Sequence, residues 1–275
     1  MKESFSLMPV RPVKPVAPWV GGKRALSGRL VEMIGRIDHK LYAEPFVGMG
    51  GVFFRRKHRP VCEVINDRSR DVANLFRILQ RHYPQFMDTL KWQLSSRAEF
   101  ERLMQVDPDT MTDLERAARF LYLQRLAFGG EVDRRTFGVS YTNGARFDLT
   151  KLASMLEDVH ERLSGVIIEC RPYEQMIRQY DRPGALFYCD PPYWGCTDDY
   201  GKNLFSEADF GCLRDLLGRL QGAFILSIND TPEIREIFAG FTLQEVTLNY
   251  RRSGPVTPAK ELIITSGQMS DHSGG

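Results

Sequence analysis

The sequence predicts an α/β protein built on a doubly wound sheet, with a mainly helical domain inserted into it. Three observations carry this expectation. Apolar runs of strand length alternate with stretches of helical period. Two of the strand candidates end in turns where glycine or proline adjoins an acid, at the sheet edge where open α/β folds hold ligands. Between residues 83 and 164 the alternation stops and helical patterns take over.

Strand candidates lie at 40–46, 62–66, 166–170, 185–189, 223–228, 241–248 and 261–265, a set that suits a doubly wound sheet. Helices are expected between them at 24–34, 70–81, 173–180, 207–220 and 232–238. The last opens on Thr231 as a cap, with Pro232 at the first helical position. Inside the insertion, helical patterns cover 98–104, 113–128 and 151–163, and 136–147 reads as a hairpin turning at Asn143-Gly144. The expected division is a sheet domain from 16–82 and 165–267, an inserted domain from 83–164, and loose tails at 1–15 and 268–275.

With 275 residues, 43% of them hydrophobic and 26% charged, the chain has the composition of a globular protein with a large core. No apolar run is long enough to cross a bilayer, which argues against membrane function. The proline-rich stretch 1–18 lacks the apolar centre of a secretory signal, so a cytoplasmic location is expected. The five cysteines are an odd set with no CxxC pair, and free thiols with no metal are expected. The net charge of +2 does not establish a nucleic-acid partner, but its distribution is uneven. Arg116, Arg119, Arg125, Arg134, Arg135 and Arg146 face only Glu131 and Asp133 over residues 116–146, six positive against two negative and a net of +4. Such a segment can build a phosphate-facing surface.

Three motifs carry chemistry. Asp190-Pro191-Pro192-Tyr193 follows the buried strand candidate 185–189 and offers a carboxylate, a main-chain acceptor held by proline, and an aromatic face. Glu44-Pro45-Phe46-Val47-Gly48-Met49-Gly50-Gly51 is a glycine turn at a strand end, where backbone can approach a ligand closely. Asp67, ending the next strand candidate, lies at the spacing of a ribose-binding acid, and together they suggest an adenosyl cofactor. Trp19-Val20-Gly21-Gly22-Lys23 invites comparison with a phosphate-binding loop, but Ala17 stands in place of its first glycine and Arg24 in place of its Ser or Thr. Trp19 and Lys23 are therefore expected to touch a cofactor, the tryptophan by stacking or cation–π contact and the lysine with a carboxylate.

In this order the motifs resemble the Dam-like family of DNA adenine N6-methyltransferases, in which WxGGK and PFVGxG segments come first and DPPY follows much later. The resemblance runs from about residue 18 to 265 and includes weaker matches at Phe120 to Arg125, Phe137 to Val139, Leu226 to Asn229 and Glu261 to Thr265. It implies a Rossmann-like methyltransferase sheet with an inserted target-recognition domain, and S-adenosylmethionine as cofactor with no metal. It implies cofactor contacts from Trp19, Gly21, Gly22, Lys23, Phe46, Gly48, Gly50, Asp67 and Asp190, and a target adenine held by Asp190, Pro191, Pro192 and Tyr193. The base has to be flipped from double-stranded DNA to reach that turn. DNA contacts are expected from Arg125, Arg134, Arg135, Tyr141 and Arg146, on or beside the hairpin. Lys202 and Asn203 are candidates for closing the site. Gln124 and Gly129 stand where relatives often carry Asn, and Gly138-Val139-Ser140 where they often carry Asn-Val-Pro, so the departures fall in the recognition segment. A role in restriction–modification belongs to the same picture, with no obligatory protein partner. RNA adenine, cytosine N4 and protein glutamine can use a similar acceptor turn, and a non-catalytic DNA-binding protein can keep the fold; the large insertion before Asp190 argues for DNA.

Overall fold

The computed structural model describes residues 7–19, 23, 25–132, 135–139, 146–196, 205–250 and 257–266. Its centre is a seven-stranded sheet of β1 (Leu41–Glu44), β2 (Cys62–Asn66), β3 (Ile167–Glu169), β4 (Ala185–Cys189), β5 (Ala223–Asn229), β6 (Thr242–Tyr250) and β7 (Thr257–Thr265). The spatial order is β3-β2-β1-β4-β5-β7-β6. The first five strands are parallel, and β7 runs antiparallel to both β5 and β6. The α/β class and the seven strands expected from the sequence are therefore present. The winding reverses direction between the neighbours β1 and β4, which opens a crevice at their carboxyl ends.

Strand alternation divides the core in two. Tyr42, Ile65, Leu186, Tyr188, Ile225 and Ile263 face one side. Leu41, Ala43, Val64, Phe187, Cys189, Phe224, Leu226, Leu262 and Ile264 face the other. Successive side chains on a strand point to opposite faces, so a sheet covered on both sides reads as a continuous apolar run. The second face packs on α7 (Tyr173–Tyr180), α8 (Glu207–Leu217) and α9 (Pro232–Ile237) through Met176, Ile177, Phe210, Leu213 and Ile234. Ser206 and Asp209 form a capping box at the start of α8, and Thr231 caps α9.

The first face packs on α1 (Ser27–Arg36) and α2 (Arg70–Arg81), and the helices that follow α2 continue this layer. These are α3 (Tyr83–Leu90), α4 (Arg97–Gln105), α5 (Asp113–Leu126) and α6 (Leu149–Arg162). Their buried side chains, Phe86, Phe100, Phe120, Leu123 and Leu156 among them, belong to the same hydrophobic cluster as Tyr42, Phe54 and Phe76. The centre of the layer is α5, opened by a capping box between Thr112 and Glu115, with 10 of its 14 residues buried.

Several boundaries differ from the sequence expectation. The first helix begins at Ser27 rather than 24, after an N-cap, Leu26, that offers no side-chain bond, so no capping signal marks the start. Helix α3, which has Pro84 in its first turn, was not expected as a separate element. Strand β7 starts at Thr257 rather than 261 and pairs along its whole length with β6. The expected turn at Asn143-Gly144 lies outside the described residues. The described flank of that hairpin pairs with the end of α5: Ala127 bridges Phe137, the amide of Phe128 donates to the Thr136 carbonyl, and that of Gly138 to the Leu126 carbonyl.

Candidate active site

The glycine turn leaves β1 at Glu44 and bends back through two left-handed glycines, Gly48 (φ +50°) and Gly50 (φ +70°). Both need the freedom of glycine. A Cβ on Gly48 would stand 2.7 Å from Trp19 Nε1, and one on Gly50 would stand 2.4 Å from the Phe54 ring. Asp67 fastens the turn to the end of β2: its Oδ2 accepts from the Gly48 amide at 2.9 Å and its Oδ1 from the Ser69 amide at 2.8 Å. Burial pushes the Asp67 carboxyl up to about 6, against the two amide bonds that favour its ionised form. Asn66 ties the same region to β3, donating to the Pro45 and Arg171 carbonyls and accepting from the Arg171 amide.

A cavity of about 1020 Å³ opens over this turn, at the carboxyl ends of β1 and β4. Trp19, Lys23, Phe46, Gly48, Asp67, Asp190 and Pro192 all line it, so one space gathers residues drawn from three separate motifs. Pro191, Tyr193 and Gly50 are not in the lining. Gly50 acts through the turn, where its missing side chain makes room for the buried Phe54. Gly21 and Gly22 lie outside the described residues, as do Lys202 and Asn203. The half-buried Trp19 meets Phe120 of α5 edge-on at 6.4 Å. Phe46, Tyr173 and Phe205 form an aromatic group at another wall, with centroids 5.3–5.8 Å apart.

The turn after β4 is held from several sides. Lys23, only 2% exposed, places its ammonium 2.8 Å from Asp190 Oδ1, donates to the Tyr193 hydroxyl at 2.6 Å, and lies 3.9 Å from Glu261 Oε2. The Tyr193 hydroxyl donates to Glu261 Oε1 at 2.5 Å. Ser227 on β5 approaches Asp190 Oδ1 at 3.4 Å and pairs with the Tyr188 hydroxyl at 2.8 Å. Asn229 clasps the backbone of Trp194 through both its amide nitrogen and its oxygen. Burial raises the Asp190 carboxyl to about 6; the Lys23 charge and hydrogen bond oppose this, and the Glu261 charge reinforces it. Glu44, 1% exposed, lines the same cavity and accepts from the Tyr42 hydroxyl at 2.7 Å. Its carboxyl is pushed up to about 8, with burial the largest cause. Cys189, directly before Asp190, is fully buried, and burial raises its thiol far above the ordinary range.

The arginine-rich segment is less uniform than its sequence suggests. Arg116 turns inward to Asp71 and Asp109, and Arg119 donates to the Leu103 carbonyl; both are buried. The segment thus offers fewer free cations than its net charge implies. Arg125 lines the cavity and donates to the Val16 and Arg146 carbonyls. Arg135 donates to the Gln124 side chain and the Glu131 carbonyl, and Arg146 to the Ala127 carbonyl. Arg134 and Tyr141 lie outside the described residues. Sequence reasoning did not single out Glu44, Ser227, Asn229 or Glu261 as site residues. The last three fall within the weaker matches Leu226 to Asn229 and Glu261 to Thr265, the one signal that could have found them.

A crevice at the switch point, floored by a glycine turn and flanked by an acid on the next strand, defines a nucleotide-cofactor-binding α/β protein. The model of the D12 class N6 adenine-specific DNA methyltransferase family matches residues 19–251, and the chain belongs to this family. DNA adenine N6-methylation is its chemistry, and DNA its substrate. The chain is similar to the type II methyltransferase M1.LlaDCHI of Lactococcus lactis subsp. cremoris, at 26% identity over 92% of this chain and 95% of the relative. It is also similar to the type II methyltransferase M.CviBI of Paramecium bursaria Chlorella virus NC1A, at 23% identity over 87% of this chain and 92% of the relative. A solved structure described as the putative methyltransferase yhhF from Escherichia coli matches over 95% of this chain and 92% of that one, at 11% identity and a TM-score of 0.36. Among the described residues no helix is long and apolar enough to cross a membrane, and no group of three potential metal ligands is found.

Proposed function

We propose that the chain methylates the N6 amine of an adenine flipped out of a specific sequence in double-stranded DNA, with S-adenosylmethionine as donor and without a metal. The observation that carries this is the shared cavity, in which Trp19, Phe46, Gly48 and Asp67 adjoin Lys23 and Asp190. The lining fits an adenosyl group: an aromatic wall for the base, an acid with lone pairs left for ribose hydroxyls, and a glycine turn that a Cβ would close. Trp19, Phe46, Gly48 and Asp67 hold that group, with Gly21 and Gly22 in the preceding motif and Gly50 setting the turn. The bound cofactor supplies a methyl group on a positively charged sulfur, and S-adenosylhomocysteine is the product.

The residues of the chain do the rest. The N6 lone pair of adenine is delocalised into the ring, so the amine must be drawn toward a tetrahedral shape. Asp190 accepts one of its hydrogens and the Pro191 carbonyl the other, with Pro192 and Pro191 fixing the backbone course. Tyr193 offers its ring for stacking on the extruded base, which offsets part of the few kcal/mol that unstacking costs. Lys23 keeps Asp190 in its ionised, accepting form. Alignment and a fixed polar setting supply the acceleration.

Target recognition falls to the inserted segment 83–164, through Arg125, Arg134, Arg135, Tyr141 and Arg146. The enzyme acts alone in the cytoplasm of a bacterial or phage-infected cell, as a modification enzyme like its type II relatives. Methyl transfer to unmethylated genomic DNA, with modified nucleosides identified by mass spectrometry and positions mapped by sequencing, tests this reading. N6-methyladenine at one short sequence, absent with Asp190→Ala, is the expected result; methylation of RNA or protein alone would overturn it.

A further inference from the structure

The cluster behind the catalytic turn contains one ionisable group that neither the motifs nor the reaction accounts for. Glu261 sits on β7, beyond the parallel part of the sheet, and is 1% exposed. A buried carboxylate in a strand weakens a core unless its partners are charged or hydrogen-bonded. Here the partners are the turn itself: the Tyr193 hydroxyl at 2.5 Å and the Lys23 ammonium at 3.9 Å. Lys23 in turn bonds Asp190 at 2.8 Å and Tyr193 at 2.6 Å. The ammonium is thus shared between two carboxylates, while the phenol bridges ammonium and Glu261.

We infer that Glu261 is a positioning residue for the transfer: it anchors the Tyr193 ring and the Lys23 ammonium from behind, and so sets both the stacking face and the charge that Asp190 feels. The inference rests on the proposed roles of Asp190 and Tyr193. Its geometry is specific. Tyr193 has its polar end fixed, so the ring cannot swing away when the cavity is open. Lys23 is not held by Asp190 alone, because a second carboxylate, Glu261, lies 3.9 Å from its ammonium. The groups facing Asp190 are Lys23 from the N-terminal segment, Glu44 from β1, Tyr188 and Cys189 from β4, Ser227 from β5 and Glu261 from β7. Glu44 lines the same cavity with its carboxyl raised by burial, whereas Glu261 is the carboxylate that shares Lys23 with Asp190.

Glu261→Gln keeps the shape and an acceptor for Tyr193 but removes the charge. Tyr193→Phe removes the bridge and leaves the charge. Both single variants and the double variant are compared with the wild-type enzyme on DNA that the wild type methylates. Two quantities are measured from pH 5 to 8: single-turnover methyl transfer, and S-adenosylmethionine affinity by calorimetry without DNA. With Glu261→Gln, Asp190 loses a repelling neighbour and gains a larger share of Lys23. The acid limb of both profiles then moves down by about one pH unit, and the plateau rate falls roughly tenfold through loosened stacking. In the Tyr193→Phe background the rate loss from Glu261→Gln disappears while the limb still moves. Unmoved acid limbs in both profiles, or rate losses that multiply in the double variant, would overturn the inference. Absence of DNA methylation by the wild-type enzyme would instead strike the reading on which it rests.

Discussion

Gly48 and Gly50 sit two residues apart, both left-handed, yet alanine at the two positions should fail in different ways. A left-handed φ costs alanine roughly 1–2 kcal/mol at either site. At Gly50 the new methyl meets the Phe54 ring at 2.4 Å, and Phe54 is fully buried against Phe53 and Phe76. Overpacking of that kind adds about 1–3 kcal/mol, so Gly50→Ala should lose about 2–5 kcal/mol and melt roughly 5–15 °C lower. At Gly48 the methyl meets the Trp19 indole, which is only half buried and lines the cavity. The indole can yield, so stability should fall by only the backbone strain of about 1–2 kcal/mol. Cofactor affinity should weaken about tenfold or more, since an edge contact and a stacking surface are worth roughly 1.4 kcal/mol. Thermal unfolding and calorimetric titration with S-adenosylmethionine, run on both variants, separate the two effects. Wild-type affinity in Gly48→Ala would refute the placement of Trp19 against the cofactor. Lost affinity in Gly50→Ala without a fall in melting temperature would show that Gly50 touches the cofactor directly.

Asp190→Ala should lower transfer by about 10²–10³-fold, the scale of one preorganised polar contact, while the fold persists because Lys23 keeps Tyr193 and Glu261 as partners; near-normal turnover would remove the mechanism. Asp190 accepts most strongly when ionised, so wild-type activity should fall as pH drops through about 6, and a flat rate from pH 5 to 8 would exclude an ionised Asp190 as the acceptor. Glu44 has a folded value of about 8, above its ordinary 4.5, so its contribution to stability is complete below 4.5 and lost as pH rises through 8. The melting temperature of the cofactor-free protein should decline between about pH 5 and 8 and level off above that, and Glu44→Gln should flatten that decline. Arg146→Ala should weaken DNA binding several-fold and lower its salt dependence by about one counterion, with cofactor affinity intact because the Arg146 carbonyl, rather than its side chain, holds Arg125; loss of cofactor binding would displace the segment from the DNA interface.

Much of the frame was legible because the sheet is buried on both faces. The runs at 62–66 and 185–189 and the helices at 70–81 and 173–180 coincide with observed elements. The start of α1 was not legible, since no side chain caps it, and α3 was hidden by a proline that reads as a break but serves as a first-turn residue. The motif residues around the cavity could be named from local pattern. Their partners could not. Lys23 comes to Asp190 from the segment before α1, and Glu261 from an antiparallel strand that joins the sheet last in the chain. No period or spacing encodes such meetings. The inward turn of Arg116 and Arg119 was invisible for a similar reason, because their acceptors come from α2, α4 and the following turn.

The helices of the insertion share one hydrophobic cluster with α2 and the sheet. Two of them are also tied by charge to the rest of the protein: Arg162 of α6 makes a two-pronged pair with Glu63 on β2, and Arg116 of α5 bonds Asp71 on α2. A chimera that exchanged residues 83–164 for those of a relative would therefore cut through packed core rather than across a linker. New target specificities should arise by substitution at single positions within the insertion, such as the half-buried Arg135 and Arg146, and not by wholesale shuffling of the segment.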